Sequence, residues 1–317
     1  MKNARPRIAG PARGWILVWS LLAALAFALP LWAHTGEWVY PIYELPTSQL
    51  PDLHDGTLDD WDSRLPEAAF DVRDFTSRPA GLGFVDSADM ALRGYLAWHN
   101  ASQRIYLGIE LVDDVYLNDY PGSQPELIPL YDHLVISLDG DHSGGRFFLD
   151  PFERIRENDR LLFDFSQAQQ YRVLARSPDG LLARSLSAAG VWTDHPPYTD
   201  AGGWTFGSAP SQALVELYLT PWNILDWQNE ADSQRSRLAP GDIIGFDIQF
   251  LDYDSEAGRL QGHFGLGVLP INRSLTPVGA DLFVDGLLVP CQVEDCSMTE
   301  ESAVAPNTWA HIKASFR

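Results

Sequence analysis

Hydrophobic and polar positions alternate strictly through the centre of the chain, from Arg93 to Asp114. In the first half of this stretch Leu96 and Trp98 keep a spacing of two, the period of a β-strand with one buried face. The residues between the halves, 100–102, are small and polar and suit a tight reversal. The stretch therefore predicts a β-hairpin with an apolar face that needs a second layer to cover it. The apolar residues of the second half are Ile105, Leu107, Ile109 and Leu111.

Three further segments alternate in the same way and can supply the second layer. No segment before residue 291 has a long apolar stripe at helical spacing. The sequence therefore predicts an all-β fold, an antiparallel β-sandwich. The apolar positions of the three segments are Leu134, Ile136 and Leu138; Val215, Leu217 and Leu219; and Ile244, Phe246, Ile248 and Phe250.

The first 33 residues have the features of an export signal. Four basic residues precede an uncharged run from Trp15 to Trp32, and Leu31-Trp32-Ala33 is a usable cleavage site. An uncleaved membrane anchor is the alternative, which Pro30 disfavours because it interrupts a continuous span. In both cases we expect the rest of the protein outside the cytoplasm, secreted, periplasmic or at the cell surface.

Three regions follow the predicted signal peptide. Residues 34–54 contain three prolines and are predicted to form an extended lead over the surface. Residues 55–290 form the predicted sandwich domain. Residues 291–317 form a tail in which Asn307 can cap a short helix, and this helix either docks on the sandwich or binds another protein. The two cysteines of the chain, Cys291 and Cys296, are predicted to form a disulfide that closes a small loop in this tail.

Composition and charge narrow the possible ligands. The 317 residues are 45% hydrophobic with 11 Trp, which is enough for a sizeable core. The formal net charge is −21 at pH 7, and it becomes −25 without the four basic residues of 1–33. A chain this acidic repels phosphate backbones, so nucleic acid is not expected as a partner. The charge suits calcium or neutral ligands better than anionic ones, but plain solubility is the favoured explanation of it.

A series of short motifs recurs in the order seen in a known family. In that order they resemble the carbohydrate-binding module family 9 domains of the DOMON-like β-sandwich group, over residues 55–290. The motifs are Asp55-Gly56 with Asp60-Trp61; Trp98, Tyr106 and Val112-Asp113-Asp114 of the hairpin; Asp132 and Leu138-Asp139; Val215-Glu216 with Thr220-Pro221-Trp222; and Gly241 to Gln249 followed by Asp252.

The resemblance implies a jelly-roll-like sandwich without catalytic activity, with structural calcium and a polysaccharide or oligosaccharide held between two tryptophans. The arginine of the family's Gln-aromatic-Arg-Val strand matches Arg172. The tryptophans do not match, because the first falls at Pro129 and no Trp occurs in 260–290, and the acidic sugar ligand falls at Val135. Arg172 and Trp98 are therefore the candidate ligand-binding residues.

A calcium-loop pattern follows the strand that ends at Leu138. Calcium needs several hard oxygens, and the acidic and hydroxyl residues of 139–150 match an EF-hand-like loop in part. A plain hairpin turn is the alternative. A second acidic turn at 252–258 is interpreted as a reversal between strands with solvated carboxylates, and calcium binding is the alternative there. The candidate calcium ligands are Asp139, Asp141, Ser143 and Asp150.

Other chemistry has weaker support in the sequence. Haem ligation, known among DOMON-like domains, would use Met90 or Met298, and copper ligation would use His34 as a mature N-terminus. No catalytic motif stands out. We therefore expect an exported, non-catalytic ligand-binding module with carbohydrate as its ligand. The alternatives are a b-type haem electron-transfer domain and a structural surface protein.

Overall fold

The structure, a computed structural model, describes residues 38–77, 90–145, 166–186, 192–254, 256–266 and 279–291. The main elements of these ranges are β-strands, with one short α-helix, α1, at Asp59–Arg64 and six 3-10 helices. No helix within them is long and apolar enough to cross a membrane. The strands are β1 Val39–Glu44, β2 Phe70–Asp71, β3 Thr76–Ser77, β4 Met90–His99, β5 Arg104–Asp113, β6 His133–Asp139, β7 Gln169–Val173, β8 Ala183–Ser185, β9 Thr199–Gly207, β10 Ser211–Leu219, β11 Trp222–Ile224, β12 Gln234–Arg235, β13 Ile243–Asp252, β14 Gly262–Gly265 and β15 Val284–Val289.

The predicted central hairpin is confirmed as the antiparallel pair β4–β5. Its strands are in register from Met90 opposite Asp113 to His99 opposite Arg104, and residues 100–103 make the reversal. Gln103 turns the chain with a φ of 55°, in the left-handed region. The alternation of apolar residues thus sets both the strands and their register.

The hairpin belongs to a large sheet that folds onto itself. The strands follow the order β8-β7-β6-β13-β15-β1-β4-β5-β10-β9. Buried residues from both ends of this order, such as Ile136 and Leu107, share one hydrophobic core. The result is a β-sandwich, in which we call β8, β7, β6 and β13 the β6 layer, and β4, β5, β10 and β9 the β5 layer.

The N-terminal lead is part of this sheet, so its predicted course over the surface is wrong for Val39–Glu44. This strand, β1, runs parallel to β15 and to β4, in an otherwise antiparallel sheet. Ile42 is fully buried there. Pro41 lies where β1 pairs with β15 alone, a position at which a missing amide hydrogen is tolerated.

The outer face of the hairpin is also covered, although the alternation predicted a half-buried strand. Trp61 of α1 lies over Gly108, and a Cβ on that glycine would stand only 2.7 Å from the indole ring. Tyr106 is 3% exposed and packs with Trp61, Tyr95 and Tyr218 in a second cluster. Because Gly108 has no side chain, the Trp61 indole can pack directly against the sheet.

Candidate functional site

The outer face of the β6 layer is polar but mostly inaccessible to solvent. Strand pairing places Arg184, Arg172, Val135 and Gln249 in one row across β8, β7, β6 and β13. The polar side chains of this face that are 4% exposed or less are His133, Ser137, Asp139, Gln170, Asp247, Gln249 and His263. Buried polar groups need hydrogen-bond partners, so their pairing decides which of them are available to a ligand.

Most of the buried polar side chains on this face form hydrogen bonds with one another. The amide of Gln249 donates to Asp247 at 2.7 Å, and its oxygen lies 2.8 Å from Nε2 of His263. The amide of Gln170 donates to Oγ of Ser137 at 3.0 Å. These side chains therefore form networks that hold the face rigid.

Arg172 differs from the rest of the row. Its side chain is half-buried and makes no hydrogen bond or ion pair with any residue that the structure describes. Burial lowers the pKa of its guanidinium, and the nearby Tyr253 acts in the opposite direction. Its neighbour in register, Arg184, pairs instead with the Asp179 carboxylate and lies 5.9 Å from the Tyr120 ring. Arg172 is thus a cation on the sheet without a hydrogen-bond or ion-pair partner among the described residues.

Tyr253 lies near enough to Arg172 to affect the pKa of its guanidinium. Its hydroxyl donates to the backbone carbonyl of Pro129 at 2.5 Å, and its ring is 4% exposed. Pro129 is the position at which the resemblance would put a tryptophan. On the other layer, Phe206 on the outer face of β9 is a large aromatic side chain with 46% exposure.

Trp98 belongs to the hydrophobic core. The side chain is fully buried, and its indole donates to the carbonyl of Val289 at 2.9 Å. A ring that solvent cannot reach is not positioned to stack on a sugar. We therefore assign Trp98 to the core instead of the ligand site.

The predicted calcium loop forms a tight turn over its described part. The Asp139 carboxylate accepts the amide hydrogens of Ser143 and Gly144, at 3.3 and 2.8 Å, and Asp141 accepts that of Ser143 at 3.2 Å. Burial, followed by the adjacent Asp139, raises the pKa of Asp141. Because Asp150 lies outside the described residues, a calcium site at 139–150 stays a prediction.

A different group of acids converges at one end of the sandwich. Oxygens of Asp113, Asp252 and Asp254, one from each, all lie within 4.8 Å of one another. Asp113 and Asp252 are buried, which contradicts the interpretation of the 252–258 turn as carrying only solvated carboxylates. Carboxylates this close are the kind of ligand set that a hard divalent cation uses.

The remaining predicted ligands are either in the core or outside the described ranges. Met90 is 1% exposed and packs in the hydrophobic core. Cys291 is 8% exposed, and its amide donates to Glu44 at 3.2 Å. His34, Cys296 and Met298 lie outside the described residues, as do the predicted signal peptide and the tail helix, so these predictions stay open.

Comparison with known proteins gives similarity at the level of structure. No family model and no curated protein matches the chain. A carbohydrate-binding module family 9 domain of Caldicellulosiruptor kristjanssonii in complex with cellotriose is 13% identical, with a TM-score of 0.49, covering 82% of this chain and 98% of that chain. The family 9 module of that organism in complex with glucose gives 12% identity, a TM-score of 0.47, and coverage of 82% and 100%. Values this low are insufficient to transfer a ligand to this chain.

Proposed function

We propose that this protein is an exported, non-catalytic module that binds a neutral saccharide on the outer face of the β6 layer, with Arg172 as its principal polar ligand. The observation that carries the proposal is the guanidinium of Arg172, which is half-buried and has no hydrogen-bond or ion-pair partner among the described residues. Holding a charge in this environment costs free energy unless something accepts its hydrogen bonds.

A saccharide suits this guanidinium for geometric reasons. The planar fork of an arginine can donate to two neighbouring hydroxyls at once. Burial lowers the pKa of the adjacent His133 to about 3, with Arg172 adding to the effect, so this imidazole is neutral and offers no charge to attract an anion. The strongly acidic chain also favours a neutral ligand over a phosphate or a sulfate.

The sequence pattern supports the same residue independently. Arg172 lies in Gln170-Tyr171-Arg172-Val173, and the alternation of this strand directs Tyr171 and Val173 into the core. Arg172 and Gln170 therefore take the outer face, where Gln170 is already bonded to Ser137. Within this strand Arg172 is the side chain left to meet a ligand.

The first test is a binding screen with the purified protein. A glycan array and pull-down assays on insoluble polysaccharides would be run in about 5 mM calcium and in chelator, since extracellular calcium sites bind weakly. We expect retention on at least one neutral glycan. A lack of binding to every glycan under both conditions would contradict the proposal. A shifted Soret band that stays with the haem-treated protein after free haem is removed would also contradict it.

A further inference from the structure

Three carboxylates meet where β5 and β13 end. Asp113 is the last residue of β5, Asp252 is the last residue of β13, and Asp254 follows two positions later. We infer that Asp113, Asp252 and Asp254, here called the Asp113 cluster, bind a calcium ion that links the two layers of the sandwich. The oxygens that define the cluster lie within 4.8 Å of one another.

Asp113 is the residue that calls for a cation most directly. Its side chain is 1% exposed, and both carboxylate oxygens are buried without a hydrogen-bond partner among the described residues. It continues the inward series of β5 one step beyond Leu111, so the strand itself points the carboxylate into the cluster. A buried carboxylate without donors costs several kcal/mol unless it is neutralised or binds a metal.

The neighbouring residues hold the cluster in place. Asp132 accepts the amide hydrogen of Tyr253 at 2.6 Å and also that of Leu117, so its carboxylate fixes the backbone between Asp252 and Asp254. The fold thus keeps several acids together against their mutual repulsion, which a divalent cation would remove.

The ligand chemistry favours calcium over other metals. The cluster consists of carboxylates alone, with no histidine or cysteine, and hard oxygen ligands suit calcium or magnesium rather than zinc or copper. Calcium takes 6–8 oxygens in flexible geometry, and carboxylates bind it with one or two oxygens each. Magnesium requires near-ideal octahedral geometry and retains several of its waters. An ion here would join β5 of one layer to β13 of the other.

Thermal melting of the chelator-treated full chain tests the assignment. Addition of calcium at about a hundredfold excess over its Kd should raise the melting temperature by about 5 °C. Asp113→Asn keeps the shape of the side chain, removes its charge, and should abolish this rise. In chelator the variant should melt at or above the wild type, because the repulsion is weaker. Asp141→Asn is the matched control from the 139–150 loop and should keep the full rise.

A second variant and a second cation complete the test. If Asp113→Asn fails to fold, Asp254→Asn removes the half-buried member of the cluster and should also abolish the rise. The inference is overturned if calcium does not stabilise the wild type, or if the rise persists in Asp254→Asn. Loss of the rise in Asp141→Asn alone assigns the ion to the 139–150 loop, and an equal rise with magnesium overturns the choice of calcium. These outcomes do not depend on saccharide binding.

Discussion

The indole of Trp61 donates a hydrogen bond of 2.7 Å to Oε1 of Glu216, with both side chains inaccessible to solvent. The other oxygen of this glutamate, Oε2, is buried without a hydrogen-bond partner among the described residues. Burial raises the pKa of Glu216 to about 8; the bond from Trp61 opposes the shift, and the carboxylate of Asp60 adds to it. Helix α1 is thus attached to the β5 layer through a glutamate that is protonated at neutral pH.

This glutamate makes stability depend on pH. Its pKa is higher in the folded protein than the ordinary value of 4.5, so its stabilising contribution is complete below pH 4.5 and is lost as the pH rises through about 8. Glu216→Gln keeps an acceptor for Trp61 and cannot ionise. We expect the free energy of unfolding of Glu216→Gln to exceed that of the wild type by roughly 1–2 kcal/mol at pH 8.5. At pH 5 the two values should be nearly equal. Urea denaturation of both proteins in chelator measures the difference, and parallel pH profiles would contradict it.

The contact between Gly108 and Trp61 predicts a packing defect. A methyl group at position 108 would meet the indole at 2.7 Å, well inside van der Waals contact. We expect Gly108→Ala to lower the free energy of unfolding by about 1–3 kcal/mol. Trp61→Leu should make room for the methyl group, so the double variant should lose less than the sum of the two single changes. Strict additivity in denaturation measurements would show that the two residues do not conflict.

The two cysteines remain a prediction that chemistry can decide. Cys291 is 8% exposed and lies two residues beyond the end of β15, and four residues separate it from Cys296. We expect intact mass spectrometry of unreduced, denatured protein treated with iodoacetamide to show no added groups, and reduced protein to show two. Denaturation removes protection by burial from the comparison. Labelling of both thiols without reductant would exclude the disulfide.

The sequence predicts the sandwich because its inward residues alternate along strands with one core face. The pairing of β4 with β5, and the core positions of Leu134 and Phe250, follow from this period alone. The same two-residue period does not reveal β1. Tyr40 and Ile42 are its only inward apolar pair, and the three prolines of 34–54 indicate an irregular segment. The parallel pairing of β1 depends on β15, more than 200 residues away, and such pairing has no local signal.

The candidate sites also differ in whether nearby sequence alone can predict them. Arg172 is a candidate because residues 170–173 match the Gln-aromatic-Arg-Val strand of the family that the chain resembles, and its role as a ligand stays a prediction. The prediction of Trp98 as a ligand-binding residue is wrong. Its place in the inward series of β4 puts the ring in the core, and its aromatic character alone does not make it available to a ligand. The Asp113 cluster is missed because its members are far apart in sequence, although a signal exists: Asp113 and Asp252 each occupy the next inward position of a buried apolar strand. An acid at such a position indicates a metal site or a functional group.

The central claim is that Arg172 contacts the saccharide, and its neighbour in register provides a matched control. Arg172→Met preserves the apolar stem and removes the unpaired charge, so its melting temperature should equal or exceed that of the wild type. Arg184→Met removes an arginine from the same row, but one that is already paired with Asp179. Phe206→Ala changes the exposed aromatic residue on the other layer.

Isothermal titration of the wild type and these three variants with the glycan selected by the binding screen is the most direct measurement. Loss of two hydrogen bonds to a charged donor should weaken binding by about tenfold or more in Arg172→Met. Arg184→Met and Phe206→Ala should bind within about twofold of the wild type, less than 0.5 kcal/mol. Wild-type affinity in a folded Arg172→Met, or loss of binding in Phe206→Ala instead, would contradict the account.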